Sequence, residues 1–234
     1  MPRKQKPSPQ KPNVDAWLEK LTPEQLEAVN RASKIFPDGS AYNIHTLEGM
    51  YGQESSSGRL NMGEKNSPGL AGHFQISPDV AAHYGLKVDK KIDERFDVNK
   101  AATCAAKYIM DLDKNFSRST NVGYKKEIVK TIPVEDPIER TKFALTAYNA
   151  GAKTIAKAQR AAQKAGKDPT KWDDVKQYLE EAGIKNKKKL KEIREYPGKV
   201  LNYSKEFKKK SQANGLPFGW HWITKDGRHI LIKD

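Results

Sequence analysis

The chain has 234 residues, of which 36% are hydrophobic and 31% charged, with 16 glycines and 13 prolines. That composition suits one large folded domain or two small ones and excludes a disordered chain. Apolar runs fall far short of the roughly 20 residues a bilayer-spanning helix needs, and the lone Cys104 excludes an intramolecular disulfide framework or a cysteine-cluster metal site.

The net charge of +14 collects in two blocks. Residues 1–13 hold four bases and no acids, and residues 183–212 hold eleven bases against three acids. Such blocks suit nucleic acid, anionic lipid or an anionic cell wall, and equally a solvated basic face. The first block also carries four prolines and no apolar h-region, so it reads as a flexible tail and not as a secretory signal peptide.

Ordered structure is expected to begin near Val14. Thr22, Pro23 and Gln25 form an N-cap, a first-turn proline and a capping-box partner for a helix that carries Leu26, Val29 and Phe36 and stops at Pro37, Asp38 and Gly39. A second helix is predicted from about Ala41, with Ile44, Leu47 and Tyr51 on one stripe and a stop near 56–58. Residues 57–78, rich in Gly, Ser, Asn and Pro, form a long loop, a feature that is usually functional in a compact domain. Asp97 caps a long helix with Val98, Ala101, Ala105, Ile109, Leu112 and Phe116 on one face. Asp136, Pro137 and Glu139 open another, which carries Leu145 and Tyr148 and ends at Gly151. Further helices are predicted near 153–165, 173–182, 186–195 and 198–212. Asp226 and Gly227 lie between two β-rich runs and predict a hairpin.

Leu47, Tyr51 and Glu54 fall at i, i+4 and i+7, so a carboxylate shares the apolar stripe of the second helix. Partial burial and the negative end of the helix dipole both favour the protonated acid. Taken alone, Glu54 reads as an ordinary polar helix terminus. Its company changes that. The segments QES (53–55), SPGLAGHFQ (67–75) and AYNAG (147–151) resemble, in order, three signature segments of the soluble lytic transglycosylases, which share a lysozyme-like helical fold with goose-type lysozymes. The likeness spans about residues 41–203 and takes in Arg194, Tyr196, Lys199 and Val200, which resemble the family's late Arg-x-Tyr-Val-x-Lys-Val segment. His73 and Phe74 depart from the family's usual Leu-Met, and Pro197 replaces the valine after Tyr196.

The resemblance implies a mainly α, lysozyme-like helical domain over 14–212, between the basic tail at 1–13 and a short C-terminal β-hairpin extension at 213–234. It makes Glu54 the single catalytic acid and base, with Ser55 orienting its carboxyl. Gln75 would line the cleft beside the sugar's N-acetyl or peptide group, Tyr148 would place its hydroxyl near the catalytic carboxyl, and Asn149 would hold backbone or substrate. Tyr196 completes the substrate-binding set. No metal or cofactor is implied.

The implied reaction is cleavage of the MurNAc to GlcNAc bond of peptidoglycan with formation of a 1,6-anhydro ring. A hydrolytic lysozyme on the same fold remains open, as does a catalytically silent structural or nucleic-acid-associated protein. Ser77 stands where goose-type lysozymes often carry an aspartate, and Asp79 reads as a first-turn acid. The basic block, Lys187, Lys188 and Lys189 included, is expected to hold anionic wall polymers and to take no part in bond breaking. Nucleic acid is the less favoured partner, since regularly interleaved aromatics are missing from that block. Without a Sec signal, delivery through a virion, a secretion machine or membrane lesions is expected, as for a phage or mobile element.

Overall fold

A computed structural model describes residues 13–124, 127–213, 220–225 and 228–233. Short-range capping sets most helix starts. After α1 (Asn13–Leu18), Thr22 and Gln25 exchange capping-box hydrogen bonds at the head of α2 (Pro23–Ser33). Asn43 and Thr46 do the same for α3 (Ile44–Ser55), which therefore starts three residues later than Ala41. In like manner α2 ends at Ser33, before Phe36, whose ring is buried beside Tyr42 in the following turn. Ser77 caps α4 (Pro78–His83), and Asp97 caps α5 (Val98–Ser117) through the Lys100 amide.

The whole predicted stripe of α5, from Val98 to Phe116, is buried along with Ala102 and Ala106, and the helix packs on α2. Cys104 lies within this packing, where burial pushes its thiol up to about 12 and leaves it unreactive. Strands β1 (Asn121–Tyr124) and β2 (Glu127–Lys130) form an antiparallel pair that the sequence did not announce, because only Val122 among their residues is buried.

Asp136 caps α6 (Pro137–Ala150), which packs on α5 and buries Phe143, Ala144, Leu145 and Ala147. There follow α7 (Ala152–Lys164) and α8 (Trp172–Val175), the latter continued by a 3-10 turn at Lys176–Tyr178 in place of the longer helix expected over 173–182.

The helices expected at 186–195 and 198–212 are one, α9 (Lys187–Ala213), with Pro197 inside it. An interior proline costs about 3 kcal/mol. Burial of Ile193 and Tyr196 on one side and Val200 and Phe207 on the other offsets that cost and holds both halves on the core. Strands β3 (Trp220–Lys225) and β4 (Arg228–Lys233) pair antiparallel, as predicted. The expected turn at Asp226 and Gly227, and residues 1–12 of the expected tail, lie outside the described residues. The architecture is mainly α, and among the described residues no helix is long and apolar enough to cross a membrane.

One close approach brings the C-terminal half of α3 against α9. A Cβ on Gly49 would lie 2.6 Å from the Val200 carbonyl oxygen, so the two helices meet backbone to backbone only because residue 49 is glycine. On the next turn, the Trp17 ring of α1 occupies the place a Gly52 side chain would take.

Candidate active site

Glu54 sits in the last turn of α3, half-buried, where the 3.6-residue period that buries Leu47 and Tyr51 also turns it inward. Removal from water pushes its carboxyl up to about 7. The hydroxyl of Tyr196, fully buried on α9, donates a hydrogen bond to Glu54 Oε1 and partly opposes that rise, as does the charge of Lys189. The Glu192 carboxylate acts in the other direction. Glu54 is thus poised to gain and lose a proton near neutrality.

The expected roles of the neighbours shift between residues. Tyr148, expected to place its hydroxyl near the carboxyl, donates it to the Phe74 carbonyl at 2.9 Å and so ties α6 to the 67–75 loop. It remains within electrostatic reach of Glu54: burial first, and then the Glu54 charge, push the phenol well above its usual range. Tyr196, expected only as a member of the substrate-binding set, is the residue whose hydroxyl bonds to the carboxyl. Ser55, expected to orient the carboxyl, is fully buried and engaged elsewhere, since its hydroxyl donates to the His73 carbonyl at 2.6 Å and accepts from the Gly58 amide at 2.9 Å.

His73 is a packing residue. Its Nε2 faces the Phe96 carbonyl, an acceptor, at 3.2 Å, so Nε2 carries the proton and Nδ1 accepts from the Tyr51 hydroxyl at 2.8 Å. Burial lowers its pKa and keeps it neutral. Gln75 adopts a left-handed backbone, φ 48°, which is rare for a side chain of its size, and its amide donates to the Gly72 carbonyl at 2.9 Å. Together with Leu70, Ser77, Tyr108 and Tyr148 it lines a small cavity. Asn149 donates through Nδ2 to Glu192 Oε1 at 3.0 Å, while its buried Oδ1 has no partner among the described residues.

Three residues outside the expected site set lie beside it. Glu192 and Lys189 lie one and two turns before Tyr196 on α9 and pair at 2.7 Å. Lys189 therefore belongs to the site and not to a free basic face. Arg95, fully buried, holds the 67–76 loop: its guanidinium grips Asp93 through two bonds and donates to the carbonyls of Ser67, Gly69 and Ile76. The spacing Asp-x-Arg on a short turn carries no signal strong enough to find this pair from sequence.

Because ionising Glu54 inside the protein is unfavourable, its protonated form stabilises the fold fully below the unfolded pKa, near ~4.3, and that contribution is lost as pH rises through about 7. Glu54→Gln removes the penalty. The variant is expected to be more stable than the parent at pH 8 by about 1–3 kcal/mol and to converge with it near pH 4. Thermal melts at both pH values check this, and an equal difference at both would contradict burial of a titrating carboxyl.

Residues 41–171 match the family described as the transglycosylase SLT domain. Among curated relatives, membrane-bound lytic murein transglycosylase F of Marinobacter nauticus is 40% identical over 70 residues, 29% of this chain and 14% of the relative. The protein of the same name from Desulfosudis oleivorans is 28% identical over 111 residues, 47% of this chain and 20% of the relative, and that from Pseudomonas fluorescens is 31% identical over 111 residues, 47% and 18%. The chain thus spans a fifth or less of the length of these relatives.

Proposed function

The chain belongs to the transglycosylase SLT domain family, and from that membership we propose that it is a lytic transglycosylase cleaving the MurNAc to GlcNAc β-1,4 bond of peptidoglycan. The observation that carries the reading is a carboxyl poised at about 7 with the Tyr196 hydroxyl on one of its oxygens. A glycosidic oxygen is a poor leaving group until protonated. Glu54 delivers that proton from its other oxygen as the bond to C1 lengthens toward an oxocarbenium-like state, and the N-acetyl oxygen of the muramic acid stabilises C1. The ionised Glu54 then takes the proton of the sugar's 6-hydroxyl, whose oxygen bonds to C1 and closes the 1,6-anhydro ring. One carboxyl serves both steps and ends as it began.

Hydrolysis with inversion would require a second base, for a water on the opposite face of the sugar. Ser77 is engaged as the N-cap of α4, and Asp79 lies in that helix's first turn. Glu192 is a poor base: burial pushes its carboxyl up, but Lys189 and Asn149 outweigh burial and hold it below the usual range. The 6-hydroxyl, held in the cleft, is the better-placed nucleophile. Mass spectrometry of muropeptides released by the enzyme is expected to show products one water lighter than hydrolysis products. Reducing ends that borohydride converts to alditols would overturn the proposal in favour of a lysozyme.

Lys187, Lys188, Lys205, Lys208 and Lys209 are exposed along α9. In this reading they attach the enzyme to anionic wall polymers by charge, an attraction that salt screens. Lys189 is excluded from that set by its place beside Glu192.

A further inference from the structure

Lys189, Glu192 and Tyr196 follow one another at i, i+3 and i+7, so one face of α9 carries a cation, an anion and a hydroxyl, and the hydroxyl reaches Glu54 at the end of α3. The Lys189 and Glu192 side chains are 39% and 42% exposed. An ion pair so placed contributes only about 0–1 kcal/mol to folding. Its two charges nevertheless act on Glu54 in opposite directions, and its anionic member holds Asn149 of α6.

Resting on the reading of Glu54 as the acid, we propose that Lys189 and Glu192 are positioning residues for the reaction: Lys189 neutralises Glu192, so that a single net acid faces the glycan, and Glu192 anchors Asn149 beside it. The charged and titratable groups acting on Glu54 are Tyr196, Lys189 and Glu192 from α9 and Tyr148 from α6. The two phenols stay neutral, because burial raises both well above their usual range. Burial does most to raise the pH at which Glu54 gives up its proton, and Lys189 and Glu192 are the charged neighbours that adjust it. Asn149 depends on the same pair. Its Nδ2 is held by Glu192, while its Oδ1 is buried without a partner among the described residues.

The pair is tested by removing each charge separately. Lys189→Met leaves Glu192 uncompensated and is expected to move the Glu54 midpoint to higher pH. Glu192→Gln, which keeps a hydrogen-bonding group for Asn149, leaves Lys189 uncompensated and is expected to move it to lower pH. Each shift should be on the order of half a pH unit at low salt and should shrink as salt is added. The double variant should return close to the parent.

Two measurements read the effect on the full chain. One is carbon NMR titration of protein labelled at glutamate carboxyls, with the Glu54 signal assigned by its loss in Glu54→Gln. The other is the alkaline limb of glycan cleavage. Opposite shifts in the two single variants support the proposal, and unchanged midpoints or shifts of the same sign overturn it. The NMR midpoint does not require turnover, so a protein that shows the opposite shifts yet cleaves no glycan would refute the proposed activity and leave the pair's action on Glu54 intact.

Discussion

Glu54→Gln is expected to reduce cleavage of peptidoglycan strands by more than about a hundredfold, the scale of general acid catalysis, while leaving the fold intact. An amide nearly preserves the carboxyl's shape, and its oxygen can still accept from Tyr196, but it has no proton to give the leaving oxygen. Release of soluble fragments from purified sacculi, together with a circular dichroism melt, measures both sides of this expectation. Residual activity above a tenth of the parent in a folded variant would place the acid elsewhere. Tyr196→Phe removes one hydrogen bond and leaves the proton donor, so its effect should be smaller, about tenfold. Because the Tyr196 bond lowers the Glu54 pKa, its loss should also carry the alkaline limb upward.

The second large effect is expected far from the reacting atoms. Arg95→Ala should destabilise the protein by about 3–5 kcal/mol, because it strands a buried carboxylate. The side chains of Arg95 and Asp93 are both fully buried. Burial alone would push the Asp93 carboxyl up, yet the Arg95 guanidinium and the amides of Asn66 and Arg95 outweigh it and hold it below the usual range. Without the guanidinium, the carbonyls of Ser67, Gly69 and Ile76 also lose their donors. The same strand of chain is clamped from the other side, where the His73 amide donates to the Arg95 carbonyl at 3.1 Å. A Cβ on Gly72, whose φ is +79°, would lie 2.0 Å from that oxygen. Urea unfolding gives the magnitude. Asp93→Asn combined with Arg95→Met should be less damaging than Arg95→Ala, since the stranded charge is gone. A loss below about 1 kcal/mol for Arg95→Ala would mean that the loop is held by other contacts.

Features that depend on near neighbours were legible in the chain. The capping box at Thr22, the caps at Asp97 and Asp136 and the stripe from Val98 to Phe116 involve residues at most four apart in each step, so periodicity and cap chemistry locate them. The same local logic placed Glu54 inward, because Leu47 and Tyr51 define which face of α3 is buried. Local rules also failed in instructive places. Two helices were expected at 186–195 and 198–212 with Pro197 between them, but a proline's local penalty is smaller than the burial of Ile193, Tyr196, Val200 and Phe207 on a single continuous helix.

Sequence by itself determined a mainly α chain with an acid aimed into its core and, through three ordered segments, the family to which the chain belongs. Which groups surround that acid was decided by tertiary structure. Tyr196 stands 142 residues from Glu54, and the two meet because Gly49 lets α3 and α9 approach backbone to backbone. That approach also carries Glu192 and Lys189 to the site, takes Lys189 out of the basic block to which composition had consigned it, and leaves Tyr148 to brace the 67–75 loop. Helical period and caps act over a few residues, whereas the field at a buried carboxyl is the sum of whatever charges and dipoles packing brings within several ångströms, and that sum exists only once the helices have docked.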